Sequence, residues 1–222
     1  MTSDLPAVLA RLDAWLAAHV PAIHATLRPG ASDTELDALE PLVGQKLPES
    51  FRTLYRWHDG EQLVVRGVFS LAFLPLAQIQ FDWETWQDIG KNFPEMNQEI
   101  NSASHPTGSI REAYTTPGWL GFLSDLSGNS VGLDFNPGPA GKLGQVITFG
   151  RDQEYKYVLA ESLEAFLREY LTRLEAGQVQ IVNREAESFL YLLDADGRSS
   201  ESHRQLTDLY PGFGAAPARR SR

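Results

Sequence analysis

The sequence predicts an α+β domain in which a largely antiparallel sheet carries helices packed on one face. Three observations predict it. Apolar residues recur at helical spacing through the first 60 residues. Four short apolar runs between 119 and 160 are separated only by turn signals, and an amphipathic stretch follows at 161–175. Strands joined by such short connections pair antiparallel, because a parallel crossover needs a dozen or more residues. Helices grouped apart from the strands segregate to one face of the sheet.

The first helix is read over 5–20, where Leu5, Val8, Leu9, Leu12, Trp15 and Leu16 form one stripe and Pro21 ends it. Residues 28–31 are a linker. Ser32 followed three residues later by Glu35 is a capping-box pattern, so a short helix begins there with Leu36, Leu39 and Val43 facing inward, and Pro41 predicts a break near Glu40. A third helix is read over 47–58, with Pro48 in its first turn, Phe51, Leu54 and Tyr55 inward, and Asp59-Gly60 as its stop. Residues 62–74 read as one or two strands interrupted at Gly67 and closed by Pro75.

Ile79, Trp83, Trp86, Ile89 and Phe93 keep helical spacing, and Pro94 ends that helix. Its other face carries Asp82, Glu84 and Asp88, while 101–118 has the composition of a loop. The strand runs are 119–123, 130–135, 145–149 and 155–160, punctuated by Ser127-Gly128-Asn129, Asn136-Pro137-Gly138 and Gly150-Arg151-Asp152. In the helix at 161–175, Leu163, Phe166, Leu167, Tyr170, Leu171 and Leu174 make the stripe, and Glu164–Arg168 and Glu169–Arg173 are favourably oriented i,i+4 pairs. Gly177 stops it. A final strand or short helix is read within 178–194, and the chain beyond 196 reads as loose.

Composition excludes several function classes. The 222 residues hold 19 Lys and Arg against 29 Asp and Glu, a formal net charge of −10. Residues 211–222 carry three Arg and no acid, which leaves the first 210 residues at −13. So acidic a chain lacks the basic footprint that nucleic acid requires and is repelled by anionic membranes; it suits a basic partner. The absence of cysteine excludes thiol catalysis, cysteine zinc sites and disulfides. No apolar run approaches the ~18 residues of a membrane span. The N-terminus lacks the basic start of a signal peptide, so a cytoplasmic protein is expected.

No motif supplies a reaction. Asp125 and Asp134 flank the turn at Gly128 and are the only paired-carboxylate candidates, with Asn136 nearby; both also read as ordinary turn and strand-end residues. His19, His24, His58, His105 and His203 have no metal-ligand spacing, and His58-Asp59 reads as a helix end. The glycine-rich run 138–144 lacks phosphate-loop spacing and lies between strands, so it reads as a wide hairpin loop. Trp15, Trp83 and Trp86 read as core. Trp57 and Trp119 are less determined: core is the favoured reading, and Trp119 at a sheet end is also the candidate interface anchor.

The run L-P-E-S-F-R-T-L-Y-R-W-H-D-G at 47–60 resembles the signature of the SUKH superfamily, in particular its Smi/Knr-type branch. The acidic lead-in with Glu35, Glu40, Leu42 and Gly44 is similar too, as are 67–79, 119–135, 144–150 and 162–167 in the same order. The resemblance implies a single α+β domain and a protein-binding role without catalysis, cofactor or metal. In bacteria such proteins are frequently immunity proteins that occlude a toxin domain; in fungi the branch serves as a regulator of cell-wall assembly. The expected organisation is an N-terminal helix and linker at 1–31, the SUKH-like domain at 32–175, an extension packed on it at 176–196, and a flexible tail at 197–222. The first expectation for function is an immunity protein that covers a basic toxin domain, the alternative is a regulatory module with an endogenous protein partner, and the third and least favoured reading is an enzyme with an unrecognised site. The candidate contacts are Trp119, Asp125, Asp134, Asp152 and Glu154 on the strands and their loops, with Asp82 and Glu84 on the preceding helix.

Overall fold

The computed structural model describes residues 4–44, 46–62, 67–98, 102–184, 187–199 and 205–219. Helix α1 (Leu5–His19) buries Leu5, Val8, Leu9, Leu12 and Leu16 along its stripe. Pro21 ends it and, with no N–H to satisfy, opens the single turn α2 (Pro21–His24). The capping box forms: Ser32 Oγ accepts the Glu35 N–H at 3.3 Å and the Ser32 N–H donates to Glu35 Oε2 at 2.8 Å. This starts α3 (Asp33–Asp37). The break foreseen at Pro41 falls at 38–39, before α4 (Glu40–Val43), where Pro41 lies in the first turn. Helix α5 (Glu49–Trp57) buries Phe51, Leu54 and Tyr55. Its Arg52 reaches Asp33, Asp37 and Glu40 at 3.0, 2.7 and 3.2 Å and ties α3 and α4 to α5.

The strand expected within 62–74 is reduced to β1 (Ala72–Phe73), and 63–66 lie outside the described residues. Then follow α6 (Leu76–Asn92), α7 (Glu95–Gln98), β2 (Ala103–His105), β3 (Trp119–Ser124), β4 (Asn129–Asp134), β5 (Gln145–Gly150), β6 (Tyr155–Ala160) and α8 (Leu163–Glu175). The two i,i+4 pairs on α8 form, at 2.7 Å each. The stretch at 178–194 is a hairpin of β7 (Val179–Arg184) and β8 (Glu187–Leu192).

The main sheet has the order β1-β3-β4-β5-β6-β2. Every pairing is antiparallel except β2 on β6, which is parallel and places His105 beside Tyr157. One face, with Leu120, Phe122, Val131, Leu133, Val146 and Leu159, packs into the core shared with α1, α5 and α8. The other face carries a smaller cluster of Trp119, Ile147 and Phe149, covered by Ile110 from the loop before β3.

Part of the chain read as a loose tail is core. Leu206, Leu209, Tyr210 and Phe213 are buried, a short 3-10 turn spans Leu206–Asp208, and the Ala215 N–H donates to the Val158 carbonyl on β6 at 2.9 Å. The apolar side chains are close enough for one turn to bury them together, but glycine and proline conceal the pattern from a search for regular elements.

The irregular segment 67–74 is held by buried polar groups. Glu61 is 0 % exposed, and its carboxyl group accepts the N–H of Phe73 at 2.8 Å and of Val68 at 3.2 Å. Three tyrosine hydroxyls donate to its carbonyls: Tyr55 to Leu74 at 2.9 Å, Tyr170 to Val68 at 2.7 Å and Tyr210 to Phe69 at 2.5 Å. A Cβ on Gly67 would stand 1.5 Å from Glu61 Oε1, so only glycine fits there.

Burial pushes the Glu61 carboxyl from an ordinary 4.5 up to about 7, against the hydrogen bonds that favour its charged form. Thr26 Oγ1 lies 3.3 Å from Glu61 Oε2 but donates its one proton to the Ile23 carbonyl at 2.7 Å. A proton on Glu61 supplies the donor that this contact lacks.

Two outcomes are expected. The folded chain binds the Glu61 proton more tightly than the unfolded one, so this contribution is complete below pH 4.5 and is lost as pH rises through about 7. Denaturant unfolding of the native chain should lose roughly 3 kcal/mol across that window relative to Glu61→Gln. Identical pH slopes for the two proteins would contradict the assignment. Gly67→Ala should destabilise by at least ~2 kcal/mol, because the carboxyl group must leave the two N–H groups it satisfies.

Candidate functional site

Helix α6 begins where the clamped segment ends. The Leu76 N–H donates to Asp59 Oδ1 at 2.8 Å, so a carboxylate caps the helix at its positive end. His58 and Asp59 therefore have separate partners: His58 Nδ1 meets the Arg28 carbonyl at 2.5 Å and its Nε2 lies 3.4 Å from Asp13 Oδ1. The adjacent pair is structural, not an acid–base dyad.

Only Leu76 and Ile79 of α6 are fully buried. Trp83 and Trp86, read as core, are half-buried instead. The helix lies beside β3 near the sheet border, so its apolar stripe is wider than the surface it covers. Trp83 Nε1 donates to the Pro117 carbonyl at 2.9 Å, and the Trp86 ring meets Tyr114 edge-on at 5.5 Å.

Two turns face α6. In the β3–β4 turn, Asp125 Oδ1 accepts the N–H of Ser127 at 2.7 Å and of Asn129 at 3.0 Å, and its Oδ2 accepts Asn129 Nδ2 at 2.7 Å. In the β5–β6 turn, Arg151 pairs with Asp152 at 3.1 Å. Asn129 joins the turns: its Nδ2 donates to Asp152 Oδ2 at 3.1 Å and its Oδ1 accepts the Asp152 N–H at 2.9 Å. The hydrogen bond from Arg151, followed by that from Asn129, holds the Asp152 carboxyl below its usual range.

Between α6 and these turns lies an open cleft of about 330 Å³. Its apolar lining is Phe81, Trp86, Ile89, Tyr114 and Leu126, with Asp82 and Arg151 as its charged groups. Phe81 is 64 % and Leu126 44 % exposed. Asp82 is half-buried and accepts one hydrogen bond, from Gln78 Nε2 at 2.7 Å; burial pushes its carboxyl up.

The structure thus gathers Asp82, Asp125 and Asp152 at one end of the sheet. It does not bring the other candidates there. Trp119 is 3 % exposed, against Phe149 at 5.3 Å and with the Lys156 ammonium 5.6 Å from its ring centroid, so it is no exposed anchor. Asp134 is 0 % exposed at the far end of β4, where it accepts Asn136 N–H and Gln145 Nε2 at 2.9 Å each and burial raises its pKa. Glu154 is exposed at the start of β6. Glu84 lies outside the cleft lining and accepts Gln80 Nε2 at 2.8 Å.

Sequence reasoning missed the apolar lining. Its signals are Phe81, which falls off the α6 stripe, and Leu126, an apolar residue inside a turn. Among the described residues, no group of three or more His, Asp or Glu side chains is arranged to hold a metal ion, and no helix is long and apolar enough to cross a membrane. His203 lies outside the described residues.

The family model for the SMI1 / KNR4 family (SUKH-1) matches residues 30–169. The chain is 32% identical over 203 residues to the cell wall biosynthesis/cell cycle regulator smi1 of Schizosaccharomyces pombe, an alignment covering 85% of this chain and 37% of the relative. It is 26% identical over 211 residues to the cell wall assembly regulator SMI1 of Saccharomyces cerevisiae, covering 80% and 42%. To the glucan synthesis regulatory protein of Neurospora crassa it is 28% identical over 201 residues, covering 76% and 38%. The chain therefore spans well under half the length of these curated relatives. The matched segment runs from the linker before the capping box to the middle of α8 and takes in both walls of the cleft: this chain belongs to the SMI1/KNR4 (SUKH-1) family.

Proposed function

We propose that the chain is a non-catalytic regulatory module that works by docking another protein of its own cell. The observation that carries this reading is the cleft: exposed Phe81 with half-buried Trp86 and Ile89 on one wall, and a hydrogen-bonded pair of turns that presents exposed Leu126 on the other. Contiguous exposed apolar surface on a soluble domain is a mark of an interaction site. The relatives are named as regulators of wall assembly or glucan synthesis, which favours the regulatory alternative over the toxin-immunity reading. An immunity role is compatible with the family and nothing else supports it. The acidity of the chain, −10 overall, suits a basic docking surface on the partner.

The test is quantitative cross-linking of a tagged chain in its native host, with and without Phe81→Asp and Leu126→Asp together. Both side chains are already exposed, so the double variant should unfold at nearly the native temperature. It should lose at least about tenfold in recovery of one endogenous protein, as expected when apolar anchors worth ~1–3 kcal/mol are removed. Unchanged recovery, or recovery of a toxin domain as the cleft-dependent partner, would defeat the reading.

A further inference from the structure

The docking reading leaves the chemistry of the docked surface open, and the cleft itself narrows it. Resting on that reading, we infer that the cleft receives a short protein segment that inserts one bulky apolar side chain beside Trp86 and sets a Lys or Arg against Asp82.

The apolar requirement comes from the walls. Phe81, Trp86 and Ile89 lie along one side of α6 and span about 12 Å at the helical rise, the reach of three or four extended residues. Leu126 faces them across the cleft in an unusual backbone state. Its φ is +58°, a left-handed conformation that is unfavourable for a residue with a side chain. The three hydrogen bonds to Asp125 hold that turn, and the result is a leucine kept 44 % exposed at the cleft. Strain retained to present an apolar side chain to solvent points to a use for that side chain.

The cationic requirement comes from Asp82. It is half-buried, and its one hydrogen bond, from Gln78, goes to Oδ1. Among the described residues Oδ2 has no donor, and a partner ammonium or guanidinium supplies one. The cation in the lining, Arg151, is already engaged by Asp152. With Arg151 compensated by Asp152, Asp82 is the charged group of the lining without an opposite charge beside it, so the cleft favours a cation over an acidic segment. An apolar cleft that a partner side chain would desolvate on entry, with one carboxylate beside it, is an arrangement that gives a short segment both affinity and register.

Three blocked tripeptides test this by NMR titration of the labelled chain: acetyl-Arg-Trp-Arg-amide, acetyl-Glu-Trp-Glu-amide and acetyl-Arg-Ala-Arg-amide. The first should shift the amides of Phe81–Ile89 and Leu126–Gly128 saturably, and each of the others should bind at least fivefold more weakly. Asp82→Asn, which keeps the side-chain shape, should weaken the first peptide at least fivefold, whereas Glu84→Gln should leave it unchanged. Equal binding of the three peptides, shifts located elsewhere, or no effect of Asp82→Asn would overturn the inference. If the tripeptides fail while Phe81→Asp with Leu126→Asp abolishes cross-linking in the cell, this inference falls and the docking reading stands. If Arg-Trp-Arg binds as expected while cross-linking is unaffected, the cleft chemistry stands and its regulatory role falls.

Discussion

The buried carboxyl group of Glu61 is the constraint on which the rest of the molecule depends. Segment 67–74 passes through the core largely without regular pairing, and buried backbone groups must find partners. Glu61 satisfies two of its N–H groups, and the hydroxyls of Tyr55, Tyr170 and Tyr210 satisfy three of its carbonyls. Those tyrosines come from α5, α8 and the C-terminal turn, so one irregular strip is bonded to three separate parts of the fold. This explains why Leu206–Phe213 is core: Tyr210 completes the same set of hydrogen bonds. A buried polar network of this kind gains stability only if every member is satisfied, and a half-satisfied one is worse than an apolar core.

The cleft inherits its position from that clamp. Phe73 pairs with Leu123 on β3, and Leu74 N–H donates to the Phe122 carbonyl, so the strip is docked on the sheet edge. Two residues later α6 begins, capped by Asp59 from the residue pair that ends α5. The wall formed by exposed Phe81 and half-buried Trp86 and Ile89 is therefore fixed from the buried side. The facing wall is fixed separately by Asn129, whose amide bridges both turns. Two rigid walls need little ordering when a partner binds, which removes one of the entropic costs of association.

The sheet and α8 are legible in the sequence because their patterns are local. Alternation, short turns and a 3.6-residue stripe need no knowledge of distant contacts, and the capping box at Ser32 and the i,i+4 pairs on α8 are settled within one or two turns. The run at 47–60 is legible as a resemblance, and its residues have structural reasons. Tyr55 bonds Leu74, Asp59 caps α6, and Gly60 has a φ of +68° with space for a Cβ blocked by the Pro75 nitrogen at 2.4 Å. The features that are not legible depend on long-range contact. Gly67 reads as a strand interruption, although its role is to admit a carboxyl group from six residues earlier. Trp83 and Trp86 read as core, because periodicity reports an apolar stripe and not how much of it a neighbour covers. Trp119 stays open between core and interface anchor, because a strand end gives no sign of the loop that buries it.

The same distinction changes what the acidity means. A net charge of −10 suggests a diffuse attraction to basic partners, yet many carboxylates are occupied inside the fold. Glu61 and Asp134 are buried, Asp59 and Asp125 accept backbone N–H groups, and Asp33, Asp37 and Glu40 surround Arg52. Such groups still contribute to the field that steers a partner at long range, but they are poorly placed to make a new short-range bond. Asp82 differs, because it is partly desolvated, sits among apolar side chains and has an oxygen without a donor among the described residues. At that position a single cation gains more than at the solvated rim, where exposed pairs contribute about 0–1 kcal/mol. Under the proposed docking, total charge governs how fast a basic partner arrives, and one carboxylate with the apolar walls around it governs which segment stays.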